Sequence, residues 1–185
     1  MSSDGRYVFF RSNKTDLDDS ISDTNGDSDV FVKDRNTGII RLAHPYIDPS
    51  GAAPHHVSGD GRFLTLAVGG SAGCTTNCPN EYFGGWDSDF GTGNSNNRSQ
   101  VYMVDQLTNN VELISVATDG SSLGNHHAAT CNSHFYNYVG CSPISFDGRY
   151  VAFTSKSNNL VSSPSGISND YWQIYVRDTQ LNTTE

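Results

Sequence analysis

Short apolar, β-rich runs recur along this chain between polar turns, and three of them are near copies of one another. "YVFF" after Arg6, "FLTLAV" after Arg62 and "YVAFTS" after Arg149 each follow an Asp-Gly-Arg turn, in "SDGRYVFF" (3–10), "SGDGRFLTL" (58–66) and "SFDGRYVAF" (145–153). A second set, "DVFVKD" ending at Asp34, "VYMVD" ending at Asp105 and "IYVRD" ending at Asp178, alternates apolar and polar positions as half-buried strands do. A turn and a third run then follow each: "NTGIIRLA", "LTNNVELISV" and "TQLNTTE". Period-2 alternation punctuated by Asp-Gly and Thr-Gly predicts half-buried strands joined by tight turns. No stretch has a convincing helical period.

Three such strands, preceded by a short strand that ends in Ser-x-Asp-Gly, make one four-stranded antiparallel unit, and recurrence at this spacing predicts an all-β propeller. The residues "SxDGRYVAFTS…IYVRD" resemble the TolB-type, or WD40-like, β-propeller repeat of bacterial exported proteins, and "DTNGDSDVFVKDRNTG" resembles a longer variant of secreted bacterial propellers. The resemblance covers nearly the whole chain apart from two insertions. It implies a fold and is almost silent about activity, because propellers host binding, scaffolding and catalysis alike.

With strands lettered A to D from the axis outward, the chain reads B-C-D, A-B-C-D, A-B-C-D, a partial array of about three blades whose first lacks its inner strand. Expected boundaries are 2–47 for blade one, 52–118 for blade two with an insertion at 70–99, a connector insertion at 119–140, and 141–185 for blade three. Closed propellers usually need about four to eight blades. Either more chain belongs at the ends, or two copies associate as a homodimer that completes a ring. The apolar edge "YVFF" of the first blade and the uncovered face around Tyr150 and Ile174 favour such association.

Landmark spacing locates the extra residues. Asp4 to Asp34 spans 30 residues and Asp147 to Asp178 spans 31, but Asp60 to Asp105 spans 45. The surplus falls in the B–C loop of blade two and in the D–A connection that follows, two connections that share one face of a propeller. Cys74 and Cys78 lie in the first insertion, Cys131 and Cys141 in the second. The simplest pairing is a disulfide within each, which suits an exported, periplasmic or extracellular protein. Cross-linked loops, free thiols and a Cys₄ zinc site with His126, His127 or His134 nearby are the competing readings.

The insertions are also aromatic. Tyr82, Trp86, Tyr136 and Tyr138, beside Asp87 and Asp89, are candidate ligand-binding residues, since aromatic faces next to hydrogen-bonding groups suit sugars or peptides. The other reading is a local apolar cluster that keeps long loops ordered. In "DLDDSISDTNGDSD" (16–29) the residues Asp23, Asn25, Asp27 and Asp29 alternate around Gly26, an oxygen-rich loop with the hard donors that Ca²⁺ requires. It departs from the integrin-type and EF-hand calcium patterns, and an Asx-rich turn bonded to its own backbone competes with the metal site.

No nucleophile elbow, P-loop or H-E-x-x-H is present, and no pair of acids is singled out for catalysis. His55 and His56 belong on the inner strand of blade two without counterparts in blade three. Eleven Lys and Arg against 20 Asp and Glu give a net charge of −9, which disfavours nucleic acid and anionic membranes as partners. No apolar run is long enough for membrane insertion. The sequence is therefore expected to form a non-catalytic binding or scaffold module that meets a protein or glycan through the face with the insertions and the acidic loop. A fragment of a propeller hydrolase or lyase, and a purely structural self-assembling unit, are the alternatives.

Overall fold

The computed structural model describes residues 1–18, 29–43, 53–68, 100–129, 143–162 and 170–185. They form three antiparallel sheets, and among them no helix is long and apolar enough to cross a membrane. The first sheet holds β1 (Tyr7–Ser12), β2 (Asp29–Asp34) and β3 (Ile40–Leu42) in that order. The second holds β4 (Ala53–Val57), β5 (Phe63–Val68), β6 (Gln100–Asp105) and β7 (Val111–Leu113). The third holds β8 (Ala128–Ala129), β9 (Tyr150–Ser155), β10 (Gln173–Asp178) and β11 (Thr183–Thr184). This is the expected B-C-D, A-B-C-D, A-B-C-D meander, a partial propeller-like all-β fold, and among the described residues β1 has no inner strand beside it.

The three hairpins share one register. Tyr7 pairs with Asp34, Phe63 with Asp105 and Tyr150 with Asp178. Equivalent residues therefore point the same way in each sheet, because a strand turns every second side chain to the same face. One core layer lies between sheets one and two, where Tyr7, Phe9, Val30 and Val32 meet Leu64, Leu66, Tyr102 and Val104. The other lies between sheets two and three, where Phe63, Val101 and Met103 meet Val151, Phe153 and Tyr175. Sheet two is thus covered on both sides, which is why "VYMV" in β6 is apolar without a break and buried throughout.

The second insertion differs from its expected place in the D–A connection. β8 lies inside the segment read as connector and pairs with the far end of β9, Ala128 with Ser155 and Ala129 with Thr154. Ile144 bridges Val151, and Ala152 N–H donates to the Pro143 carbonyl at 3.1 Å, so the near end of β9 has its own inner partner. Residues 130–142 therefore fall between two pieces of one inner strand. Sheet two shows why that point tolerates added chain: its inner strand shifts register between Pro54 and His56, where the ladder is already interrupted.

Candidate functional site

One end of every sheet is closed by the same bonded turn, built from Ser-x-Asp-Gly-Arg and an aromatic residue. The Ser hydroxyl donates to the Asp carboxylate at 2.6 Å in Ser2 to Asp4, 2.5 Å in Ser58 to Asp60 and 2.6 Å in Ser145 to Asp147. The same carboxylate oxygen accepts the N–H of Arg6, Arg62 or Arg149, and the Ser hydroxyl accepts the N–H of Tyr7, Phe63 or Tyr150. The intervening Gly sits at φ 71°, 80° and 77°, a region open to Gly at little cost.

Each Arg then reaches the Asp that ends the next strand. Arg6 to Asp34 closes to 2.8 Å, and Arg62 to Asp105 and Arg149 to Asp178 close to 2.7 Å, each with a second bond from Nε. In all three the guanidinium carbon stands 4.8 Å from the centre of the following aromatic ring. The A–B turn and the C–D turn of each sheet are thereby joined by bidentate, charge-assisted bonds. This end of the molecule is committed to structure.

Those bonds set an acid limit. The paired guanidinium foremost, with backbone N–H donors, holds Asp34, Asp105 and Asp178 at about 2, against an ordinary value of 3.8. Asp119 reaches about 2 as well, through Ser122 and the N–H groups of its own turn. A carboxyl depressed in the folded chain contributes fully above its unfolded pKa, and the contribution is lost as pH falls through its folded pKa. Urea midpoints are therefore expected to hold down to about pH 4 and to drop toward pH 2. The drop should be shallower in Asp105→Asn; an identical profile in that variant would remove the ion pair as its cause.

A second contact ties neighbouring sheets at this end. A Cβ added to Gly61 would lie 2.6 Å from the Tyr7 ring of the preceding sheet, and one added to Gly148 would stand on the Phe63 ring. Gly61 and Gly148 thus supply the flat spot on which the aromatic of the sheet before each rests. Neither this contact nor the Arg to Asp pairing was anticipated from the sequence. The recurrence of Arg, aromatic and strand-ending Asp in all three copies is the signal that carried both.

The opposite end carries the segments that do not repeat. Val68 pairs directly with Gln100, so residues 69–99 are inserted at a closed hairpin stem, and residues 19–28 and 163–169 occupy the equivalent B–C stretches of the other sheets. The approach to β8 is held by a polar network. Gln100 Nε2 donates to the carbonyls of Gly124 (3.2 Å) and His126 (3.1 Å), and the Ser115 hydroxyl donates to Gln100 Oε1 at 2.7 Å. His126 N–H donates to Ser157 Oγ at 2.9 Å, while Lys156 N–H and Ser155 Oγ both donate to the His127 carbonyl. Tyr175 Oη caps the arrangement on the Ser157 carbonyl at 2.7 Å.

Of the candidate metal residues, Asp29 opens β2 opposite Ser12 and is 4% exposed, while Asp23, Asn25 and Asp27 lie outside the described residues. So do Tyr82, Trp86, Asp87, Asp89, Tyr136, Tyr138 and the four cysteines Cys74, Cys78, Cys131 and Cys141. Among the described residues no three His, Cys, Asp or Glu side chains stand close enough to hold a metal ion. His56 lies on β4, where burial, and after it the N-terminal amino group, pushes its pKa below the ordinary 6.5.

Sheet order, register and bonded turns define an all-β chain of propeller-like blades. No protein-family model matches it, and no curated protein does. Among solved structures, TolB from Acinetobacter baumannii is similar over 100% of this chain and 30% of that one, with 16% identity and a TM-score of 0.47. The chain thus spans less than a third of that protein's length.

Proposed function

We propose that this chain is a non-catalytic binding and scaffold module of an exported protein, built on TolB-like propeller repeats, which takes a protein or glycan ligand at the end opposite the bonded turns. The observation that carries this reading is the difference between the two ends of the same sheets. At one end, three copies of one turn spend their charged and aromatic groups on each other. At the other, the stems after Ser12, Val68 and Ser155 bear segments unlike in length and composition, and the longest of them, after Val68, carries Tyr82, Trp86, Asp87, Asp89, Cys74 and Cys78. Rigid strands that present unlike loops are the common arrangement for recognition. In this reading Cys74 with Cys78 and Cys131 with Cys141 staple their own loops, and the oxygen-rich loop 16–29 takes Ca²⁺.

The test is binding to glycan and displayed-peptide arrays, with calcium and with chelator, for the native chain and for a variant whose residues 72–96 are replaced by a short Gly-Ser turn. Binding is expected for the native chain and lost in the variant, with the far-ultraviolet circular dichroism and the melting temperature of the two alike. Undiminished binding by the shortened variant would move the ligand away from this loop.

A further inference from the structure

Each junction between sheets uses the same positions. The face of sheet one that looks toward sheet two carries Tyr7, Val30 and Val32, and the matching face of sheet two carries Phe63, Val101 and Met103. The strand register makes Tyr150, Ile174 and Val176 the same positions in sheet three. Val30 is 7% exposed and Val101 0%, yet Ile174 is 77% exposed. Tyr150 is exposed as well, although Tyr7 and Phe63 each rest on a glycine of the next sheet. Sheet three thus presents a junction face whose mate is not among the described residues.

A face with complementary features stands at the other end of the array. Gly5, the counterpart of Gly61 and Gly148, has no ring over it; the nearest atoms to an added Cβ are Arg35 Nη1 at 3.4 Å and Met1 Sδ at 3.9 Å. Val8 and Phe10 are half-buried at the positions that Leu64 and Leu66 fill in sheet two, with Phe10 stacked on the buried Phe31 at 5.8 Å.

Charge matches too. At the first junction Arg41 of β3 donates to Gln106 of the next sheet at 3.2 Å, and at the second Glu112 stands at the place of Arg41 on β7. Glu185 exchanges backbone bonds with Val176, as Glu112 pairs with Met103 and Arg41 with Val32, so it is the third member of that series. Lys33, opposite Val8, holds in sheet one the position of Arg177 in sheet three. Both Glu185 and Lys33 are exposed. An acid therefore stands on one open face and a base at the complementary position of the other.

We propose that two copies of this chain join head to tail, the face of Tyr150, Ile174 and Glu185 in each docking on the face of Gly5, Phe10 and Lys33 in the other. Two equivalent junctions then close a ring of six sheets, within the range of closed propellers. Tyr150 takes the flat spot at Gly5, and Glu185 meets Lys33 with opposite charge. This assembly is independent of what the loop end binds.

Sedimentation velocity from about 1 to 100 μM, the range in which assemblies of ordinary affinity dissociate, tests it. The chain is expected to reach a discrete mass of two copies. Ile174→Asp should give a folded monomer, since Ile174 touches neither internal core. Lys33→Glu and Glu185→Lys should each weaken association by about tenfold or more, and the double reversal should restore most of the loss, as complementary charges do. A native chain that stays monomeric throughout would show that something else, such as further blades of a longer polypeptide, covers these faces. A dimer indifferent to Ile174→Asp, or open polymers in place of a closed pair, would overturn the proposal as well.

Discussion

Phe153→Ala is expected to lower the free energy of unfolding by about 3–5 kcal/mol, the usual cost of emptying a buried aromatic site. Phe153 is 2% exposed and stacks on Tyr175 with ring centres 5.6 Å apart. It belongs to the core layer between sheets two and three, so the cavity would open at a junction rather than inside one sheet. Domains of this size have only about 5–15 kcal/mol in hand. Urea unfolding at neutral pH checks it, and a loss below about 1 kcal/mol would show that the two sheets close over the gap.

Gly148→Ala is expected to be nearly as damaging, with an internal control. Gly148 and Gly120 have almost the same backbone, φ 77° and 76°, so an added methyl meets the same local strain at either position, roughly 1–2 kcal/mol. At Gly120 nothing lies within 4 Å, whereas at Gly148 the methyl would enter the Phe63 ring. That ring cannot retreat freely, because the Arg62 guanidinium stands 4.8 Å from its centre. Overpacking of this kind adds about 1–3 kcal/mol. Gly148→Ala should therefore lose more than Gly120→Ala in parallel denaturant titrations, and equal losses would mean that the ring does not rest where we place it.

The strands were legible because their cause is local. The apolar, β-rich runs "YVFF" and "YVAFTS" declare themselves by the residues they contain, and Asp-Gly turns carry their own bonds. β8 was missed for the same reason in reverse: Ala128 and Ala129 have no alternation, and what makes them a strand is pairing with Ser155 and Thr154 far along the chain. The Arg to Asp pairs span 28, 43 and 29 residues, beyond any local pattern, and only their recurrence at fixed places in each copy could have revealed them. The candidate site at the loop end is the least legible part. Residues 69–99 and 130–142 match no other segment of the chain in length or sequence, so the repeat that revealed the strands says nothing of Trp86 or Tyr136.

The bonded turns also make the far end of each hairpin suitable for grafting. With register fixed by Arg62 and Asp105, the stem at Val68 and Gln100 closes whatever sequence lies between. Loop closure costs only about 0.6 kcal/mol per doubling of length, so length itself is a minor charge on the fold. The stems at Ser12 and Asp29 and at Ser155 and Gln173 repeat the arrangement in the flanking sheets. A foreign recognition peptide spliced into one stem would inherit a rigid two-strand base, and peptides in all three would stand side by side, as variable segments do on a display scaffold.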